Sequence, residues 1–168
     1  DIRITSSQRL SLGEDRSVLL VNLGVRITRA GVFKLSFVLP EGLEVESITG
    51  NALSHWTDIE DGDDTVVTLH LKGKTEGNAQ FQINLAGAGL EKTESWQVPR
   101  VAIREATKEK GQLFIIPEQG IRVYMKDREG VSQLDPKQAG IRDRGVLAFR
   151  LLQGDWTLSF DVERVDPW

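Results

Sequence analysis

The stretch Leu19-Leu20-Val21-Asn22-Leu23-Gly24-Val25-Arg26-Ile27-Thr28 decides the fold class. Leu19, Val21, Leu23, Val25 and Ile27 fall on one face, and Asn22, Arg26 and Thr28 fall on the other. A period of two is that of a half-buried strand, because successive side chains leave opposite sides of an extended backbone. Arg29-Ala30-Gly31 follows and predicts a tight connection. Phe33, Leu35, Phe37 and Leu39 then form a second apolar face, with Lys34 and Ser36 opposite. The two runs together predict a long β-hairpin with one wet side. Pro40-Glu41-Gly42 ends it, since proline cannot donate to a strand ladder.

The same alternation recurs outward from this segment. Leu43 and Val45 open a short strand that closes at Gly50-Asn51. Val67, Leu69 and Leu71 alternate with Val66, Thr68 and His70, and Gly73 to Asn78 predicts a polar turn. Ala79, Phe81, Ile83 and Leu85 alternate with Gln80, Gln82 and Asn84. The last strand sets Trp156, Leu158, Phe160 and Val162 against Thr157, Ser159, Asp161 and Glu163. Helix signals are few. Val101 to Lys110 is expected as a strand running into a charged turn. Asp135-Pro136 reads as an N-cap followed by proline at the first helical position, with Gly140 as the stop. About ten short strands with regular turn punctuation predict an all-β chain. The expected fold is an antiparallel β-sandwich, Ig-like or larger, with at most one or two short helical turns. The expected organisation is one domain over 1–168, the alternative being subdomains 1–88 and 95–168 split near Ala86-Gly87-Ala88-Gly89.

With 168 residues the chain can bury roughly two thirds of its unfolded surface and needs no covalent staple. It has no cysteine, which excludes disulfides, thiolate metal sites and cysteine nucleophiles. Net charge is −4. Residues 1–90 carry 8 basic and 12 acidic side chains, and the remainder 13 of each. Neither half is basic, so no phosphate-binding footprint shows and nucleic acid is not an expected partner. No apolar run approaches the ~20 residues of a membrane-spanning helix. The chain opens on Asp1 and stops at Asp166-Pro167-Trp168, which predicts a processed protein or a piece of a longer one.

Chemistry-bearing motifs are sparse. Gly87-Ala88-Gly89 lacks the third glycine of a dinucleotide loop, with Lys92 in its place, and no helix pattern follows to hold a pyrophosphate. Ser54, His55 and Asp58 match a catalytic triad in composition alone, with no G-x-S-x-G elbow. His70 lies on the polar face of its strand between Thr68 and Lys72. The most loaded segment is Asp58-Ile59-Glu60-Asp61-Gly62-Asp63-Asp64. Asp58, Glu60, Asp61 and Asp63 are candidate calcium ligands, because alternating carboxylates around a glycine can wrap a hard cation. A hairpin turn built of Asp and Gly accounts for the same residues. Trp56 with Asp58, and Tyr124 on a polar face between Arg122 and Lys126, are candidate glycan contacts. Trp96 and Trp168 stand near strand or chain ends as candidate interface anchors.

The segment Gly31-Val32-Phe33-Lys34-Leu35-Ser36-Phe37-Val38-Leu39-Pro40-Glu41-Gly42-Leu43-Glu44-Val45 resembles β-sandwich modules of large bacterial cell-envelope proteins, in which a strand ending in L-P-x-G precedes a hydrophobic-acidic alternation. The resemblance implies an extracytoplasmic structural or adhesive module and carries over no catalytic residue. The functional expectation is therefore a non-catalytic module that contacts neighbouring domains of its own chain or another protein, without a cofactor. A carbohydrate- or calcium-binding module is the alternative, and a glycan-active enzyme fragment the second.

Overall fold

The computed structural model describes all residues except 91–94, 138–139, 141–144 and 165–168. It is 75% strand, with no helix among the described residues, and its two sheets do not close into a barrel. The all-β expectation is borne out. Strands are β1 (Ile2–Leu12), β2 (Arg16–Val38), β3 (Leu43–Thr49), β4 (Leu53–Asp61), β5 (Asp64–Ala88) and β6 (Ser95–Gln97). Then follow β7 (Lys108–Pro117), β8 (Ile121–Glu129), β9 (Val131–Leu134), β10 (Leu147–Leu151) and β11 (Thr157–Arg164). The large sheet has eight strands in the order β3-β5-β2-β1-β7-β10-β9, with β4 also on β5. The second sheet has the order β6-β11-β8.

One pair departs from the antiparallel expectation. β1 and β7 run parallel, from Arg3 against Lys108 to Leu12 against Pro117, so the large sheet is mixed and draws on both halves of the chain. The alternation on β1 is complete: Ile2, Ile4, Ser6, Gln8, Leu10 and Leu12 are buried, and every odd-numbered residue between them is exposed.

The expected hairpin at Arg29-Ala30-Gly31 is not there. β2 continues through it as a strand of 23 residues, and β5 continues through the expected turn at Gly73 to Asn78 as one of 25. The two long strands pair along their whole length and bend together. Ile27 pairs Gly77, Val32 pairs Thr75 and Lys34 pairs His70. Four residues of β2 (28–31) therefore face one of β5, and then four of β5 (71–74) face one of β2. The two bulges cancel, and the register beyond the bend equals the register before it. Arg29 (φ 76°) and Gly77 (φ 86°) supply the left-handed backbone. Residues that turn a chain back can equally kink a ribbon, because a bulge raises local twist without ending the ladder. Phe33 sits in this kink and is 61% exposed, although Leu35 and Phe37 beside it are fully buried.

The three-stranded sheet covers the apolar face of the large one. Trp156, Leu158 and Phe160 point into the shared core with Ile121 and Val123. Leu19, Val21, Ile83, Leu85, Leu113 and Phe149 face them from the large sheet. The segment between β6 and β7 ties the layers together. Val98 donates its N–H to the Leu158 carbonyl, Arg104 donates to the Ser36 carbonyl, and Ile103 makes an isolated bridge to Phe37. The expected order in this region is reversed: an irregular crossing comes first, and the charged residues Lys108 to Lys110 begin a strand. Asp135 accepts the Lys137 N–H at 3.0 Å and Gly140 takes φ 82°, a turn where a helical start was expected. Gly87 and Gly89 serve close approach: a Cβ on Gly87 would collide with the Gly42 carbonyl oxygen, and one on Gly89 with that of Glu14.

Candidate functional site

Beyond the bend, β4, β5 and the end of β2 form a three-stranded ribbon that carries most of the residues singled out by sequence. Its register places Lys34, His70 and His55 in one row across the strands. His55 and His70 stack with ring centroids 4.6 Å apart and planes within 10°. His55 Nδ1 lies 3.0 Å from Ser54 Oγ, and His70 Nε2 lies 2.8 Å from Thr57 Oγ1. Asp58 pairs Val67 on the opposite face of β4 from His55 and is exposed. Strand alternation thus separates the acid from the imidazole it would have to orient in a triad.

The acidic run forms the tip of the β4–β5 hairpin. Asp61 pairs Asp64, and Gly62 takes φ 64° at the turn between them. Asp58 and Glu60 share one face of β4, Asp61 points to the other, and Asp63 lies in the turn. The ribbon strings these carboxylates out in sequence. Among the described residues no three His, Cys, Asp or Glu side chains form a group able to hold a metal ion.

The candidate aromatics do not converge. Trp56 is half-buried in a row with Leu69 and Leu35, packed against the core. Tyr124 stands on the other sheet, pairs Asp161 and is 49% exposed. Trp96 pairs Phe160 and is half-buried against the core. Trp168 lies outside the described residues.

Sequence alone did not single out Glu109. Burial pushes its carboxyl up to about 7 from the usual 4.5, against the opposing pull of the Ile103 N–H and the Arg100 guanidinium. Glu109 Oε1 accepts the Ile103 N–H at 2.6 Å, and Arg100 Nη1 donates to the Trp156 carbonyl at 2.7 Å. Glu105 accepts the N–H of Ser36 at 2.6 Å and the Ser36 hydroxyl as well. These groups pin the crossing segment to β2, β7 and the approach to β11. The only available signal was a glutamate at an inward-facing position of a strand, which becomes visible once β7 is placed.

No family model and no curated protein matches the sequence. Solved structures do match in fold. Native yeast LTA4 hydrolase superposes with a TM-score of 0.57 at 10% identity, over 96% of this chain and 29% of that one. Native leukotriene A4 hydrolase from Saccharomyces cerevisiae gives a TM-score of 0.58 at 9% identity, over the same shares. An M1 zinc metallopeptidase from Deinococcus radiodurans gives 0.52 at 11% identity, over 95% of this chain and 42% of that one. The chain therefore spans less than half the length of each. These likenesses overturn the expectation of a non-catalytic module acting by contact with other protein surfaces. The fold, over nearly the whole chain, is one found within hydrolases.

Proposed function

We propose that this chain is the β domain of a zinc-dependent peptidase of the M1 type, and that the peptide-cleaving centre is furnished by the rest of a longer polypeptide. One observation carries this: 95–96% of the chain is accounted for by 29–42% of enzymes whose fold it shares. The enzyme-fragment alternative weighed from sequence is retained, with peptide bonds in place of glycosidic bonds as the substrate class.

Zinc does not fit the described residues of this chain. A catalytic zinc takes three protein ligands and keeps one position open. The two histidines are engaged with each other and with Ser54 and Thr57, and among the described residues no acidic side chain joins them in a metal-holding group. No chemical step is assigned to this chain, and we hold it inactive by itself.

The test uses the protein encoded by the whole gene. The purified protein is expected to contain one zinc per chain by elemental analysis and to hydrolyse aminoacyl-nitroanilides in a chelator-sensitive way, while residues 1–168 expressed alone do neither. A whole protein without zinc and without peptide hydrolysis overturns the proposal.

A further inference from the structure

Strand pairing assembles a cluster of cations that no stretch of the sequence contains. On the outer face of the large sheet, Arg26 of β2, Arg3 of β1 and Lys108 of β7 lie in one row. The next row holds Gly24, Thr5 and Lys110. Gly24 has no side chain, and the floor between the cations sinks there into a hollow of about 460 Å³. An adjoining hollow of about 330 Å³ is lined by Arg3, Arg26 and Arg29 together with Asp1 and Thr28. Asn78 and Gln80 of β5 add amides to the wall of the larger hollow.

Three features of this trough oppose folding. Arg3 stands directly across from Arg26 on one side and Lys108 on the other, and like charges directly opposite are destabilising. Of the trough's cations, Arg3 alone has a carboxylate partner among the described residues, Asp1 at 3.2 Å, and Arg26, Arg29, Lys108 and Lys110 have none there, in a chain of net charge −4. Arg29 is the one described non-glycine residue with positive φ, a conformation that costs a side-chain-bearing residue energy. Local strain and unmatched charge of this kind gather where a ligand is bound.

We propose that the trough binds a small multivalent oxyanion bearing two or more phosphate or carboxylate groups. Guanidinium forks grip either group through paired N–H···O bonds, and lysines add point charge. From Arg26 to Lys108 the row crosses two interstrand gaps, about 10 Å, which suits linked oxyanion groups better than a single one. The Thr5 hydroxyl and the amides supply neutral donors. This inference stands apart from the peptidase assignment, since it uses only residues of this chain.

The test is calorimetric titration of the intact protein at fixed ionic strength with tripolyphosphate, citrate and orthophosphate. One equivalent of tripolyphosphate or citrate is expected to bind at least about tenfold more tightly than orthophosphate, a margin equal to one additional charge-assisted hydrogen bond. The tighter of the two probes assigns the class, phosphate or carboxylate. Arg26→Gln and Lys108→Gln, each confirmed folded by circular dichroism, should both weaken that binding about tenfold. Lys34→Gln, the same charge change on the distal ribbon, should leave it unaltered. No binding of either probe, or equal losses from Lys34→Gln and the trough variants, overturns the proposal.

Discussion

Phe149 of β10 and Phe160 of β11 meet with ring centroids 6.0 Å apart and planes tilted by 57°, and this pair joins the eight-stranded sheet to the three-stranded one. Both rings are fully buried, and the separation lies within the range in which the edge of one aromatic ring attracts the face of another. Phe160→Ala is expected to lower stability by about 3–5 kcal/mol, the cost of a large core truncation with its cavity. The check is urea denaturation. The double variant with Phe149→Ala should lose less than the sum of the single losses, because the two residues share one contact.

Glu109 makes stability pH-dependent with a defined sign. Its carboxyl titrates near 7 in the folded chain and near 4.5 when unfolded. Between those values the folded chain holds a proton that the unfolded chain has released, so raising pH through that window lowers stability. Below the window both states are protonated and the contribution of this group is at its maximum. Urea midpoints measured from pH 4.5 to 8 should fall with pH for the natural chain and fall less for Glu109→Gln. An unchanged slope in the variant would remove Glu109 as the cause.

Arg29→Gly should leave stability unchanged or raise it by up to about 1 kcal/mol, since glycine adopts positive φ freely. Arg9→Gly, in the extended backbone of β1, should instead destabilise by roughly 0.5–1 kcal/mol. Equal losses in the two variants would show that the backbone at Arg29 is unstrained.

Millimolar calcium should leave the melting temperature unmoved. A ligand that binds only the folded state must raise it, and Asp58, Glu60, Asp61 and Asp63 are strung along a ribbon and its turn with no convergent group among the described residues. A rise reversed by EDTA would support the calcium alternative.

The fold class was legible because the core faces follow a strict two-residue period, as on β1 and on β2 from Leu19 to Ile27. The bend was not. Arg29-Ala30-Gly31 and Gly73 to Asn78 hold the residues that reverse a chain, and whether such residues reverse it or kink it depends on the partner strand's matching bulge. The parallel pairing of β1 with β7 left no local trace either, since alternation reports which face is buried and not which neighbour is bonded. The charge count by halves was sound as arithmetic and blind to clustering. Arg3, Arg26 and Lys108 become neighbours only through two ladders, one of them spanning most of the chain.

That parallel ladder also dictates an order of events during synthesis. β1 is complete at Leu12, and β2 can cover one of its edges as soon as Ile27 has left the ribosome. The other edge stays bare until Lys108 to Pro117 has been made. Throughout that interval a row of free N–H and C=O groups is offered to any other nascent strand, the situation in which edges recruit the wrong partner. Pairings this distant in sequence also form slowly. Correct assembly of the large sheet therefore depends on that edge of β1 staying unpaired until β7 arrives.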